Sequence, residues 1–408
     1  MAQRSFLRPV LVVGIGLLLG WLVLATTVDR VFARRAPALA LRWNPGSADA
    51  NVRVADALLQ GGDVGGSIGR VAALAERSIR RQPVNSGAAR LLGIRAAFSN
   101  DARRAEGLAR YAEAMSRRDL PTQLWLIETA VARNDIPTAL RHYDRAMKTS
   151  SNGRAVLFPI LAAAAEDRAI WEPLAGILAR RPQWWRAFVD QMTPRSNSPD
   201  ALYAIARHTG IAGTERADPA LLQGIEKRLV ELGAYAQAAD LYNRAHRLPP
   251  GTGAPLRNGG FEQATGFDPF EWNLRDEPDL AAVRQPSPVE NGGNALFLSA
   301  ANGRGGDLAV QTVMLPPGGY RLRATVGGVG GDPLAYPHLI VRCARGGREF
   351  FNGRFPVAGD GGTVWRDGFT IPGDCPGQQV VLQASSSLDP SDMTPWIDNI
   401  VIGSQGER

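Results

Sequence analysis

The sequence predicts a multidomain chain in which α-helices are followed by a β part, with a membrane helix at the N-terminus. Three patterns predict it: an apolar run near the start, helical spacing from about 52 to 248, and short alternating segments between Gly-rich turns after 250. A chain of 408 residues also exceeds the usual size of one hydrophobic core. We therefore expect 1–34 to be a membrane anchor or signal segment, 35–250 an α-helical repeat domain, and 251–408 an antiparallel β-sandwich.

The N-terminal segment has the composition of a membrane-targeting helix. Apolar residues run without interruption from Val10 to Ala25 and extend to Val28. This length lies between a signal-peptide core and a spanning helix. We favour an uncleaved anchor because glycines at 14, 16 and 20 are typical of spanning helices. A cleaved signal peptide stays open, since Val23-Leu24-Ala25 offers small-residue cleavage spacing.

Charge is distributed unevenly along the chain. Residues 1–250 carry 34 basic and 22 acidic side chains, a net +12, whereas residues 251–408 carry 12 and 17, a net −5. A basic surface attracts polyanions over long range. The alternative is a solvated helix surface with a compositional bias, because Lys148 and Lys227 are the only lysines. We favour this alternative and expect no nucleic-acid partner.

The helical part contains a repeat of 34 residues. Leu92, Ala96 and Ala105 recur as Leu126, Ala130 and Ala139, and a later segment with Ala238 and Tyr242 follows the same pattern. This pattern resembles the tetratricopeptide repeat, in which small residues let paired helices approach. The resemblance implies an α-helical solenoid whose groove binds a peptide or a protein partner. We expect that partner to be another envelope protein.

The β part contains short strand candidates and both cysteines. The strand candidates are separated by Gly-rich turns, which predicts a sandwich or jelly roll; they are 295–298, 308–313, 320–326, 337–343, 379–384 and 396–402. Cys343 and Cys375 are about 30 residues apart and have no zinc-site spacing. They predict a disulfide if the compartment is oxidising.

Two motifs bracket this β part. Asn258-Gly259-Gly260-Phe261-Glu262 with Trp272 opens it, and Trp396 to Ile402 closes it. In this order and spacing they resemble the jelly-roll carbohydrate-binding modules over 256–403, which implies a sugar-binding sandwich. In that family an opening Glu and a closing Asp lie close together and often hold a structural calcium.

Carried over, the resemblance implicates Glu262 and Asp398 as metal ligands. The alternative is that Glu262 accepts backbone hydrogen bonds and that Asp398 caps a turn. Both interpretations stay open at the level of sequence.

Four residues are candidates for carbohydrate binding: Tyr336, His338, Arg342 and Trp365. Sugars need flat aromatic faces together with groups that hydrogen-bond hydroxyls. Strand alternation over 338–343 puts His338 and Arg342 on the face away from the core, where Arg342 suits a carboxylated sugar. The partner would then be a polysaccharide, including an acidic one. Solvent exposure without a function is the alternative.

The cysteine pair and the sugar-module resemblance together predict a bacterial inner-membrane protein with a single span and most of the chain in the periplasm. No catalytic or nucleotide-binding motif is found, so we expect no enzyme activity. The leading hypothesis is an anchored scaffold with a sugar-binding sandwich, accessory to polysaccharide assembly or export. The alternatives are a structural interaction module without glycan binding, and a polysaccharide lyase or hydrolase that uses Tyr336, His338 and Arg342.

Overall fold

The computed structural model describes residues 4–213, 215–249, 253–264, 266–267, 269–289, 292–386 and 394–405. Within these ranges α-helices are followed by two antiparallel sheets, which confirms the predicted fold class. The chain forms two compact units, Met1–Leu157 and Phe158–Arg408. The predicted domain limits stay predictions, and residues 250–252 of the Pro- and Gly-rich segment at 249–253 lie outside the described residues.

The N-terminal unit is helical. Its helices are α1 (Arg4–Phe32), α2 (Pro37–Trp43), α3 (Ala48–Gln60), α4 (Val64–Arg81), α5 (Ser86–Phe98), α6 (Ala102–Met115), α7 (Leu120–Ala132) and α8 (Ile136–Thr149), and α9 (Ser151–Ala164) runs across the division. Among the described residues, Val12–Phe32 is the one helix long and apolar enough to cross a membrane, a property that a signal sequence shares.

The predicted 34-residue repeat coincides with two helix pairs. Helices α5 and α6 begin at Ser86 and Ala102, and α7 and α8 begin 34 residues later at Leu120 and Ile136. Each helix is started by a side chain that accepts a hydrogen bond from the first turn; these caps are Asn85, Asp101, Asp119 and Asp135. The repeated alanines are buried, so the small residues do lie where helices meet; they are Ala96, Ala105, Ala130 and Ala139.

The C-terminal unit combines the remaining helices with the sandwich. The helices are α10 (Arg168–Leu178), α11 (Trp185–Met192), α12 (Pro199–Thr209), α13 (Pro219–Glu231) and α14 (Tyr235–Ala245). The last helix contacts the β part directly: the Tyr242 ring packs edge-on against Phe270, with ring centroids 5.5 Å apart. Helices and strands therefore share one packed body in this unit.

The strands form two antiparallel sheets. The strands are β1 (Asn273–Leu274), β2 (Asp276–Glu277), β3 (Leu280–Pro286), β4 (Asn294–Ala300), β5 (Gly305–Val313), β6 (Gly318–Gly327), β7 (His338–Cys343), β8 (Glu349–Arg354), β9 (Thr363–Ile371), β10 (Gln378–Ser385) and β11 (Trp396–Ser404). The five-stranded sheet has the order β1-β5-β10-β7-β8, and the six-stranded sheet has the order β2-β3-β4-β11-β6-β9. Alternate residues of both sheets fill the core between them.

The two ends of the sandwich sequence meet in space. Ile400 on the closing strand donates its N–H to the carbonyl of Gly259 in the opening motif, at 2.9 Å. Phe261 and Trp272 lie in the core with ring centroids 5.5 Å apart. Cys343 and Cys375 lie at disulfide distance, with Cα atoms 5.8 Å apart, as the sequence predicts.

Candidate functional site

The outer face of the five-stranded sheet carries a group of polar side chains. In the antiparallel register, Gln379 on β10 lies opposite both Arg342 on β7 and Thr312 on β5, and Gln383 lies opposite His338 and Asp307. Directly opposed residues point to the same side of a sheet. The members of this polar face are Asp307, His338, Arg342, Asn352, Gln379 and Gln383.

Arg342 is the centre of a hydrogen-bonded group on this face. Its guanidinium donates to the Asp307 carboxylate at 2.7 Å and to the Gln379 side-chain oxygen at 3.0 Å. The amide of Gln383 donates to the other Asp307 oxygen at 3.3 Å. The charge of Arg342 is therefore balanced within the sheet, and its planar amide neighbours are held in fixed orientations.

A second polar chain lies beside the first. His338 Nδ1 is 2.6 Å from the Asn352 side-chain oxygen, and the Asn352 amide donates to Glu349 at 3.0 Å. Between the two chains, Ile340 and Val381 occupy the same face by alternation, yet both are buried. Neighbouring side chains must therefore cover Ile340 and Val381, so the polar groups project further from the sheet than these two residues do.

The two aromatic candidates are not on this face. Tyr336 and Trp365 belong to the core cluster and are 9% and 8% exposed. Trp365 packs against Phe355 and Phe351, with ring centroids 5.6 and 6.1 Å away. The structure thus brings His338 and Arg342 to the same face and leaves Tyr336 and Trp365 inside, where their rings have no broad surface for a sugar.

The carboxylates predicted as metal ligands lie close together around Gly260. A Cβ atom on Gly260 would stand 3.7 Å from Asp398 Oδ1 and 3.9 Å from Glu262 Cγ. Asp398 is buried, and burial raises its pKa to about 6, with the charge of Glu262 adding to the rise. The backbone N–H and side chain of Asn294 donate to Glu262 and hold its pKa below the usual range.

These carboxylates already have neighbours of their own. Asp398 accepts from the backbone N–H and the side-chain amide of Asn399 at 2.6 and 3.0 Å, and Glu262 accepts twice from Asn294 at 3.0 Å. The geometry therefore contains the capping contacts of the alternative interpretation. Carboxylate oxygens nevertheless retain further lone pairs for a cation.

Two carboxylates near one place supply oxygen ligands of the kind that calcium prefers. Two like charges share this place, one of them buried, and an oxygen-preferring cation between them would relieve both the repulsion and the burial. Among the described residues no three His, Cys, Asp or Glu side chains lie together in a way that could hold a metal ion. A bound ion would therefore need ligands other than these side chains. Phe261, beside Glu262, has a φ of +54°, an uncommon value for a bulky residue, and Asn258 and Asn399 have +49° and +51°. Strained backbone of this kind clusters at functional sites.

A separate groove of about 570 Å³ lies in the N-terminal unit. Helices α5 to α8 line it, and its walls mix apolar and charged groups, among them Trp125, Thr129, Glu106, Arg133 and Arg141. Glu106 accepts from Arg110 at 2.8 Å and lies 3.7 Å from Arg133, so several of its charges are paired. Burial lowers the pKa of His142 on the groove wall, where Nδ1 lies 2.9 Å from the Gln123 side-chain oxygen.

The sequence patterns do not predict several members of the polar face. Asp307, Asn352, Gln379 and Gln383 come from three strands other than β7, and only the register brings them beside His338 and Arg342. Period-two alternation along each strand would have marked them as outward-facing. It would not have shown which of them are neighbours.

No protein-family model and no curated protein matches this chain. Among solved structures, the carbohydrate-binding module CBM4 is 15% identical, with a TM-score of 0.28 over 37% of this chain and 99% of that one. YrrB, a TPR protein with an unusual peptide-binding site, is 13% identical, with a TM-score of 0.26 over 53% of this chain and 94% of that one. The enzymatically active domain of bacteriophage CBA120 tailspike protein 4 is 14% identical, with a TM-score of 0.28 over 38% of this chain, which spans only 22% of the tailspike chain.

Proposed function

We propose that this chain is a non-enzymatic, membrane-anchored scaffold whose sandwich binds a glycan on the polar face. The observation that carries the proposal is the hydrogen-bonded row that joins Arg342, Asp307, Gln379 and Gln383. Sugar hydroxyls are recognised by planar amides and paired charges held in fixed orientations. Binding to this row costs little side-chain entropy, because the hydrogen bonds between its members already fix their orientations.

The ligand class of this face follows from its charge. Arg342 is compensated by Asp307, and the register places a second carboxylate, that of Glu349, opposite Arg342 on the neighbouring strand. A neutral glycan therefore fits better than the carboxylated sugar expected for Arg342 alone. We assign this face to neutral hexose or pentose units.

The decisive experiment is affinity electrophoresis of the full chain in a neutral detergent through gels that contain neutral polysaccharides. Retardation by at least one neutral polysaccharide is expected, and Gln379→Ala with Gln383→Ala should weaken it about tenfold. Thr370→Ala, an exposed position on the other sheet, is the matched control. Migration unaffected by any polysaccharide would overturn the glycan-binding proposal.

The alternative, an interaction module without glycan binding, is favoured by one observation. Three tryptophans of the sandwich, Trp272, Trp365 and Trp396, are all buried, so none offers a stacking platform. A complex with a protein partner that forms equally well in the parent and in the Gln379→Ala, Gln383→Ala variant, with no retardation by polysaccharide, would favour this function.

We propose no catalytic activity for this chain. A lyase mechanism would use Tyr336, but its hydroxyl lies 3.4 Å from the carbonyl of Gly331 and its ring is in the core. His338 is engaged with Asn352. The expected result is that the chain releases neither reducing ends nor unsaturated products from polysaccharide that it binds.

The periplasmic placement belongs to the same proposal. It is supported by the apolar helix Val12–Phe32 and by the cysteine pair, since disulfides persist in oxidising compartments. A bacterial inner-membrane anchor with the rest of the chain in the periplasm accommodates both. Protection of residues beyond 35 from protease in intact spheroplasts would contradict it.

The groove of helices α5 to α8 is the proposed site for an envelope protein partner. Its mixed apolar and charged lining suits an extended peptide. Thr129→Arg fills the groove and should abolish in vivo crosslinks to the partner, whereas Arg103→Gln, exposed on α6 but outside the groove, should leave them unchanged.

We also propose that Glu262 and Asp398 bind a calcium ion. The ion would neutralise the two carboxylates and hold the opening and closing motifs together. Calcium should raise the melting temperature of the parent and not of Asp398→Asn, while Asp374→Asn, a carboxylate paired with Arg348, keeps the response. An identical melting temperature with calcium and with a chelator would contradict the proposed ion.

A further inference from the structure

The outer face of the six-stranded sheet carries three arginines on adjacent strands. Arg321 and Arg323 lie on β6, and Arg366 lies on β9. Their neighbours along each strand, Leu322 and Trp365, are buried in the core, so the arginines point outward. We call Arg321, Arg323 and Arg366 the arginine face.

Two of these arginines are directly opposed. The register of β6 and β9 places Arg323 opposite Arg366. Directly opposed residues have Cβ atoms about 5 Å apart, and residues two apart on one strand are about 7 Å apart. Like charges at this distance destabilise a sheet, so this arrangement is unfavourable for folding by itself.

No acidic side chain in the described part of the protein compensates the arginine face. None of its three guanidiniums forms a hydrogen bond or an ion pair with another described residue. Six other arginines of the sandwich form such contacts, whereas Arg345 and Arg354 form none with a described residue; the six are Arg257, Arg275, Arg284, Arg304, Arg342 and Arg348. The segment from 251 to 408 is also net acidic, so a basic cluster does not follow from its composition.

The surface around the arginines is open. Gly368 and Gly403 lie opposite Arg321 on the two neighbouring strands. The space beside Gly403 is empty within 4 Å, and beside Gly368 the nearest side chain is the uncharged amide of Gln405. The exposed apolar side chains beside the arginines are those of Val364 and Val401, which are 40% and 56% exposed. Valine side chains are short. A membrane surface is usually engaged by large apolar or aromatic side chains as well as cations, and the exposed apolar side chains here are valines.

We infer that the arginine face binds an anionic polysaccharide, through carboxylate or sulfate groups that repeat along the chain. Guanidinium groups bind carboxylates and sulfates through paired hydrogen bonds. Three cations on adjacent strands of one sheet face match charges that repeat along a polymer. This site lies on the sheet opposite to the polar face and does not depend on neutral-glycan binding there.

The test compares the full chain with the triple variant Arg321→Gln, Arg323→Gln, Arg366→Gln. The control is Arg53→Gln, Arg70→Gln, Arg103→Gln, which removes the same charge from exposed positions of the N-terminal unit. Binding to polygalacturonate is measured in neutral detergent. The triple variant should bind at least about tenfold more weakly, and the control should match the parent. Parental binding should also weaken as salt is raised, with a steeper dependence than in the triple variant.

Two outcomes would overturn the inference. One is equal binding of polygalacturonate by the parent and the triple variant. The other is arginine-dependent binding to vesicles of equal parts phosphatidylcholine and phosphatidylglycerol without binding of polygalacturonate. Because helix α1 is present in both proteins, a difference on vesicles reports on the arginines alone. Binding of neutral polysaccharides is a separate readout, and its complete absence would count against the polar face only.

Discussion

Ile400 donates its backbone N–H to the carbonyl of Gly259 across 2.9 Å, joining the last strand of the sandwich to the motif that opens it. The contact needs glycine, because a Cβ atom at position 259 would lie 2.1 Å from the Ile400 carbonyl oxygen. That atom belongs to the backbone and cannot rotate away. The closing strand also holds Asp398, so this contact joins the two segments that carry the Asp398 and Glu262 carboxylates.

Gly259→Ala is therefore expected to destabilise the sandwich by about 1–3 kcal/mol through overpacking. Gly403→Ala, on the same closing strand but with nothing within 4 Å of the added atom, is the control and should change stability little. Chemical denaturation of the full chain, followed by tryptophan fluorescence, measures the difference. Equal midpoints for the two variants would show that the ends are not joined in this way.

The buried carboxyl of Asp398 should make stability depend on pH. Burial raises its pKa to about 6 in the folded protein, above the ordinary value of 3.8, so the folded state holds this proton more tightly than the unfolded chain. The stabilising contribution is complete below about pH 4 and is lost as the pH rises to about 6. The full effect is up to roughly 3 kcal/mol.

Asp398→Asn should remove this dependence and leave a flatter profile in metal-free buffer. The free energy of unfolding of the parent and of the variant is compared at several pH values between about pH 4 and about pH 6. Glu262 contributes in the opposite sense at lower pH, because its pKa is lowered, and it remains in both proteins. Parallel profiles would contradict the raised pKa of Asp398.

How much of this could be predicted from sequence depends on the range of the interaction. The 34-residue period of Ala96 and Ala130 predicts the helix pairs, because a helical repeat is a local pattern. Alternation along β7 likewise predicts that His338 and Arg342 face outward. Asp307 as the partner of Arg342 depends on the register between strands distant in sequence, which no single-strand pattern contains.

The aromatic candidates show a second limit. Tyr336 lies between a 3₁₀-helix, Pro333–Ala335, and β7, where strand alternation does not apply, so its burial could not be predicted from the strand pattern. Trp365 differs, because Phe369 and Ile371 share its parity on β9 and form an apolar face. The burial of Trp365 could therefore be predicted from the sequence, and this burial argues against a role in sugar stacking.

The opposition of Arg323 and Arg366 predicts a stabilising substitution. Arg366→Gln should raise the free energy of unfolding by about 0.2–1 kcal/mol at low salt, because a like-charge pair across two strands is removed. Arg304→Gln should lower it slightly, since Arg304 lies 3.1 Å from Glu277 and 3.7 Å from Asp279. Thermal unfolding at low and high salt separates the two, and a gain for Arg366→Gln that persists at high salt would contradict the electrostatic cause.

The contact between α14 and the sandwich carries the last prediction. The Tyr242 hydroxyl donates to Glu271 at 3.0 Å, the Arg257 guanidinium lies 5.0 Å from the Tyr242 ring centroid, and burial raises the pKa of this hydroxyl. Tyr242→Phe removes the donor next to a carboxylate and should cost about 1–3 kcal/mol. Tyr203→Phe, which loses a similar hydroxyl bond to Asp240 at a less buried site, should cost less.

A fragment that begins at residue 251 tests the same contact from the other side. It lacks the Tyr242 ring and exposes Phe270, which is 1% exposed in the full chain. We expect this fragment to unfold at a lower temperature and to aggregate more readily than one that begins at residue 158, where the compact unit starts. Equal melting temperatures for the two fragments would show that the sandwich folds independently from residue 251 and that α14 adds nothing to its stability.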